Sequence, residues 1–153
     1  MNPQVLILVG SESDRPAMQG CLDNLDRFGI AHELIVSSAH RQPDKTRKLA
    51  VEAKERGVRV MICAAGMAAA LPGVVAAHTT LPVIGVPLDG SALSGVDSLH
   101  AIVQMPPGVP VATMAIGPAG AKNAAILAVQ ILALSDSAIQ AKLDAYKAEL
   151  AGR

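Results

Sequence analysis

Residues 4–14 read Gln4-Val5-Leu6-Ile7-Leu8-Val9-Gly10-Ser11-Glu12-Ser13-Asp14. An apolar run that stops at a glycine and passes straight into hydroxyls and carboxylates has the pattern of a strand buried on both faces that ends in a polar loop. Residues 4–9 are therefore the expected first strand. Asp14 is placed to cap a helix, Pro16 falls in its first turn and Gly29 closes it. The alternation continues outward. Residues 32–36 read as a second strand. Pro43 and Asp44 open a second helix that ends near Gly57, with Lys45, Arg47, Lys48, Glu52, Lys54 and Glu55 on a solvated outer face. Residues 58–64, 83–86 and 111–115 read as further strands; 71–77, 93–104, 119–134 and 137–150 read as helices. Uniformly apolar strands alternating with helices predict an α/β fold, a three-layer sandwich with a central parallel sheet. Ligands of such sheets bind beyond the carboxyl ends of the strands.

Composition narrows the function. A chain of 153 residues is expected to form one domain, 1–153, with its own core. Thirteen basic and thirteen acidic residues give a formal net charge of zero, so there is no electrostatic case for nucleic acid or an anionic membrane as partner. Charged residues make up 17% and hydrophobic ones 51%, against roughly 25% charged in average domains. So little charge on a short chain predicts that part of the surface is buried against further copies. Cys21 and Cys63 lack metal-ligand spacing and read as buried free thiols of a reducing, cytoplasmic protein. Met1-Asn2-Pro3-Gln4 does not read as a signal peptide. No Asp, Glu, Lys or Arg occurs between Val60 and Leu88, a stretch long enough to span a membrane, but Pro72, Pro82, Pro87 and three glycines interrupt it. A buried strand–turn–helix–strand unit is the better reading.

The chemistry-bearing residues fall just after the strands. Gly10-Ser11-Glu12-Ser13-Asp14 suits either plain helix capping or a phosphate held by backbone N–H groups and hydroxyls. It is neither a Walker loop nor a dinucleotide fingerprint. Ser37-Ser38-Ala39-His40-Arg41-Gln42-Pro43 places a hydroxyl, an imidazole and a guanidinium side by side. Arg41 can fork onto a phosphate, and His40 can move a proton near neutral pH. His32, His78 and His100 have no such company and read as structural. The stretch from Ala64 to Gly73 has no acid–base side chain; Gly66 and the alanines around it would let a flat ring approach the backbone, or simply allow tight packing. Residues 87–95 form another small-residue loop, and 104–108 follow the next helix.

Taken together, these loops resemble the 5-(carboxyamino)imidazole ribonucleotide mutases (class I) of purine biosynthesis, through almost the whole chain. The matching pieces are Gly10-Ser11-x-Ser13-Asp14, Ser38-Ala39-His40-Arg41-x-Pro43, Leu71-Pro72-Gly73, Pro82-Val83-Ile84-Gly85-Val86-Pro87, Leu93-Ser94-Gly95-x-Asp97-Ser98-Leu99 and Val103-Gln104-Met105-Pro106. The resemblance implies a flavodoxin-like sandwich, a homo-octamer and no cofactor. It implies His40 as catalyst and Ser11, Asp14 and Arg41 as contacts of a small ribonucleotide; Ser38 and Gly66 join them from their loops. The family usually has Gly-Gly-Ala-Ala-His before Leu-Pro-Gly, whereas this chain has Gly66-Met67-Ala68-Ala69-Ala70. Pro107 also stands where Arg or Gly is frequent.

The resemblance further implies an isomerisation by loss and recapture of carbon dioxide. Arg41 and the start of the first helix would hold the phosphate, Asp14 and Ser11 the ribose or ring, and His40 the protons. No metal is required, and the chain has no ligand cluster for one. Three other readings stay open: a direct aminoimidazole ribonucleotide carboxylase using free carbon dioxide, a paralogue acting on another nucleotide ring, and a non-catalytic nucleotide-binding module. Arg41 and Pro43 favour the mutase over the direct carboxylase, whose members tend to read Ser-Ala-His-Lys. Against a receiver-like module, the third strand ends in Ala64-Ala65-Gly66 where a phosphorylatable aspartate would be needed.

Overall fold

The computed structural model describes residues 2–152. Met1, at the start of the segment read as lacking signal-peptide character, and Arg153, the far end of the expected domain 1–153, lie outside the described residues. Strands β1 (Val5–Val9), β2 (His32–Val36), β3 (Val60–Ala65), β4 (Val83–Pro87) and β5 (Ala112–Thr113) pair in parallel in the order β2-β1-β3-β4-β5. This is the flavodoxin-like strand order, with its topological switch between β1 and β3.

Helices cover both faces. Odd and even positions of each central strand go to opposite sides, so two cores form. Val5, Ile7, Val9, Val60, Ile62, Ala64, Ile84 and Val86 face helices α1 (Gln19–Phe28), α5 (Pro118–Ala133) and α6 (Ser137–Ala151). Leu6, Leu8, Met61, Cys63 and Val83 face α2 (Pro43–Glu52), α3 (Leu71–His78) and α4 (Val96–Val103). β1, β3 and β4 are buried throughout, as their apolar runs predict; β2, at the edge, is half-buried at all five positions. Alanines at 121, 124, 125 and 128 of α5 are fully buried and let that helix lie close to α1 and the sheet. Cys21 and Cys63 are both buried and free, and burial pushes the Cys21 thiol up to about 12.

Several expected boundaries move, among them the end of α2, which falls at Glu52 rather than near Gly57, and the start of β3, at Val60 rather than residue 58. Asp14 does not cap an α-helix. Two short 3-10 turns, Glu12–Asp14 and Pro16–Met18, come first, and the α-helix starts only at Gln19. The reason is Pro16: without an N–H it cannot bond the Glu12 carbonyl, which instead accepts from the Arg15 N–H at 3.2 Å. Helix α4 starts at Val96 rather than Leu93, because Ser94 (φ 56°) and Gly95 (φ 87°) are left-handed. Gly95 is obligatory there, since a Cβ would lie 2.5 Å from Ile116 Cγ2 and 3.2 Å from Asp89 Cα. Finally, β5 is cut to two residues.

Candidate active site

The loops that follow β1, β2, β3 and β4 meet at the carboxyl edge of the sheet, around the switch between β1 and β3, and enclose a cavity of about 680 Å³. That volume is in the range of small-molecule sites. All six residues expected to act together, Ser11, Asp14, Ser38, His40, Arg41 and Gly66, line it.

The β1 loop presents hydroxyls and a carboxylate. Ser11 is extended (φ −152°) and caps the first 3-10 turn, its Oγ accepting from the Ser13 N–H at 3.4 Å and lying 3.0 Å from the Ser13 Oγ. The Asp14 N–H is taken by the Ser11 carbonyl at 3.1 Å. The Ser13 and Asp14 N–H groups at this helix start are thereby engaged in the turn, and the loop also offers a ligand side-chain oxygen. The Asp14 carboxylate folds back over the end of β1: a Cβ at Gly10 would lie 3.8 Å from its Oδ2. Burial raises the Asp14 carboxyl above its ordinary value, while the Ser11 backbone and the Arg41 charge pull it back. Those two charges thus share the cavity although they arrive from different strands.

The β2 loop presents the cation and the imidazole. Ser38 Oγ accepts from the Arg41 N–H at 3.2 Å and from Arg41 Nε at 3.4 Å. The terminal guanidinium nitrogens of Arg41 have no hydrogen-bond partner among the described residues, which leaves a planar fork for an anion. His40 is exposed at the crest of the loop and makes no hydrogen bond or ion pair among the described residues. Both ring nitrogens are therefore available to a ligand.

The β3 loop supplies a wall of backbone and methyl groups: Ala65, Gly66, Met67, Ala68, Ala69, Ala70 and Leu71 all line the cavity. Gly66 is in ordinary space, since a Cβ there would lie 3.7 Å from the Leu88 carbonyl oxygen. The protein's own packing does not demand a glycine. Met67 (φ 54°) and Ala69 (φ 28°) are left-handed without being glycines, a conformation that costs roughly 1–2 kcal/mol per residue. Ala69 N–H closes the turn on the Gly66 carbonyl at 3.0 Å. Leu88 and Gly90, from the β4 loop, complete the lining; only their position after a strand marks them in the sequence.

Other candidates lie elsewhere. His32 Nδ1 is 2.8 Å from the Ile30 carbonyl, and His78 and His100 are exposed on α3 and α4, outside the cavity. The 104–108 loop is also outside it; Met105 packs on Gly73 of α3 instead. Among the described residues no group of three or more metal-ligating side chains occurs, and no helix is long and apolar enough to cross a membrane.

An acid–base group, an unpaired guanidinium, a partly buried carboxylate and a flat, nearly apolar wall suit a phosphorylated, ring-bearing small molecule on which protons are moved. Comparison with known proteins gives the same direction. A profile of the AIR carboxylase family matches residues 4–153. The N5-carboxyaminoimidazole ribonucleotide mutase of Vibrio vulnificus is 53% identical over 146 residues, 95% of this chain and 91% of that protein. The mutase of the same name from Bacillus subtilis is 54% identical over 144 residues, 94% and 89% of the two chains. The crystal structure of Treponema denticola PurE superimposes with a TM-score of 0.87 at 28% identity, covering 97% of this chain and 91% of that one.

Proposed function

The chain belongs to the AIR carboxylase family, and from that premise we propose that it is an N5-carboxyaminoimidazole ribonucleotide mutase. It is an isomerase of purine biosynthesis that moves a carboxylate from the exocyclic nitrogen of an aminoimidazole ribonucleotide to the ring carbon. The observation that supports the residue roles is the meeting of His40, Arg41, Ser38, Ser11, Asp14 and Gly66 around one cavity.

Arg41, its root held by Ser38, takes the substrate phosphate through its free fork. Asp14 and Ser11 accept and donate to ribose hydroxyls. The imidazole ring lies against the methyl-lined wall around Gly66, where little water is left to solvate a carbamate. Loss of carbon dioxide leaves the bonding electrons on the exocyclic nitrogen, which takes a proton from the His40 imidazolium. The ring carbon then attacks the trapped carbon dioxide. Neutral His40 removes the proton from that carbon and returns to its starting state, so protons and electrons balance over the cycle. A single group serving both steps works best when it titrates near the working pH.

The whole chain, 1–153, acts as one domain in a cytoplasmic homo-octamer. Exposed apolar side chains are available for assembly: Met67 and Leu93 are each 64% exposed and Leu134 86%. The decisive experiment incubates the purified protein with N5-carboxyaminoimidazole ribonucleotide, without ATP or added bicarbonate, and follows the ring-carboxylated isomer. Turnover under those conditions is the expected result. Turnover only of the unmodified amine with carbon dioxide would reassign the chain as a direct carboxylase.

A further inference from the structure

The loop that carries His40 hangs from two hydroxyls that no substrate reaches. Ser37 and Thr46 are both fully buried, and their oxygens are 2.7 Å apart. Thr46 has one hydroxyl proton, and its Oγ1 donates to the Gln42 carbonyl at 3.2 Å. Ser37 is therefore the donor to Thr46. The resulting relay, Ser37 O–H to Thr46 O–H to Gln42 C=O, joins the end of β2 to the first turn of α2 across the base of the loop. Its upper end is fixed to the sheet, because the Ser37 N–H donates to the Val9 carbonyl at 2.8 Å. Its lower end is fixed as well: the Gln42 N–H returns to the Ser38 carbonyl at 2.8 Å, and the Gln42 carbonyl also accepts the Thr46 N–H at 3.0 Å.

His40 sits at the crest between these anchors with no polar partner among the described residues. Its place relative to Asp14 and the Gly66 wall is set by the backbone, which the relay anchors at the base of the loop while the Ser38–Arg41 and Ser38–Gln42 bonds close the loop itself. Two apolar side chains would fill the same volume without the cost of burying hydroxyls. What the hydroxyls add is direction, since a hydrogen bond fixes an angle that a methyl contact does not.

We propose that Ser37 and Thr46 are positioning residues for His40, a buried hydroxyl relay that holds the proton-transfer loop at its working distance from the substrate. The inference rests on the proposed role of His40 in the reaction. Arg41 is less dependent on the relay, because Ser38 holds it within the loop.

The test compares Thr46→Val, the double variant Ser37→Ala/Thr46→Val, and Thr46→Ser. Thr46→Val strands the Ser37 hydroxyl, so both Tm and kcat fall. The double variant removes both partners and regains most of the Tm, because exchanging a whole buried hydrogen-bonded pair for apolar groups is close to neutral. Its kcat nevertheless stays down about tenfold, the scale of a sub-ångström to ångström misplacement. Its KM stays within about threefold of wild type, the signature of an effect on reaction rather than binding. Thr46→Ser keeps the hydroxyl and restores kcat. A double variant whose kcat recovers along with its Tm would overturn the proposal and make the pair plain core packing. Should the wild type prove inert on the mutase substrate, the functional reading fails separately. The relay is then read from the His40 imidazole NMR resonances, which shift in the double variant if the relay positions the ring and coincide with wild type if it does not.

Discussion

Ser38 Oγ lies 3.2 Å from the Arg41 backbone nitrogen and 3.4 Å from its Nε, so one hydroxyl fixes both the main chain and the root of the guanidinium. A lysine at this position has no Nε to be held, and its ammonium is a point charge rather than a fork. Arg41→Lys is expected to weaken ribonucleotide binding by about 1–3 kcal/mol, the range for a lost charge-assisted hydrogen bond. The measurement is the Michaelis constant; an unchanged value places the phosphate elsewhere.

His40→Asn keeps the size and hydrogen-bonding capacity of the side chain but cannot carry a proton. Turnover is expected to fall about 100- to 10,000-fold, the usual worth of general acid–base catalysis. Substrate affinity, measured by calorimetry, should stay within about tenfold because binding rests on the neighbouring groups. Residual activity above a few per cent of wild type would remove His40 from its role.

Asp14 trades stability for binding. Burial raises its folded carboxyl above the ordinary value of 3.8, so folding makes the group easier to protonate than in the unfolded chain. The stability that protonation confers is present in full below the unfolded value and is lost as pH rises through the folded one. Asp14→Asn is therefore expected to raise Tm at pH 7, and the gain should shrink towards zero as the pH approaches 3.8 from above. The same change weakens substrate binding about ten- to a hundredfold, as expected for removing a charged acceptor. Thermal melts across pH, paired with the Michaelis constant, check both halves; a Tm that drops at pH 7 contradicts the first.

Ala70 closes the β3 loop at the start of α3 and lines the cavity, at the position where the mutase pattern usually has a second histidine. Proton transfer already has a carrier in His40, so the missing imidazole is assigned to positioning. One such hydrogen bond is worth roughly 0.5–1.5 kcal/mol, or about 2- to 13-fold. Ala70→His is expected to change kcat/KM by less than about tenfold in either direction. Wild-type inertness with rescue by factors of hundreds would reverse that division of labour.

Much of this was legible in the chain because it depends on local pattern. Apolar runs ending in Gly10, Ser37 and Gly66 mark buried parallel strands, and Gly29 (φ 72°) marks a helix end. Placing reactive residues after strands was enough to gather His40, Arg41, Asp14 and Gly66 in one cavity. The remainder depends on tertiary geometry. Pro16 looked like a helix opener, yet its missing N–H turned the segment into 3-10 turns. The left-handed backbone at Met67 and Ala69 carries no glycine to announce it. Thr46, on a helix whose other polar residues face water, gives no sign in sequence that its hydroxyl meets Ser37 in the interior.

The two borders of the sheet bear on whether a further strand could add to it. At one border β5 offers only two paired residues and follows Pro110. At the other, β2 carries Glu33, ion-paired to Arg56 at 2.5 Å, and the Lys45 ammonium caps the Val36 carbonyl at 2.6 Å. Short, charged and already-capped borders are poor templates for a foreign strand. Continuous sheet growth between copies, the route to fibres, is thereby discouraged at both ends, whereas the exposed apolar side chains of Leu93, Val96 and Leu134 lie on helices and loops. The architecture thus separates two kinds of stickiness: it leaves open the surfaces that can form a closed, countable assembly and shuts those that would propagate without limit.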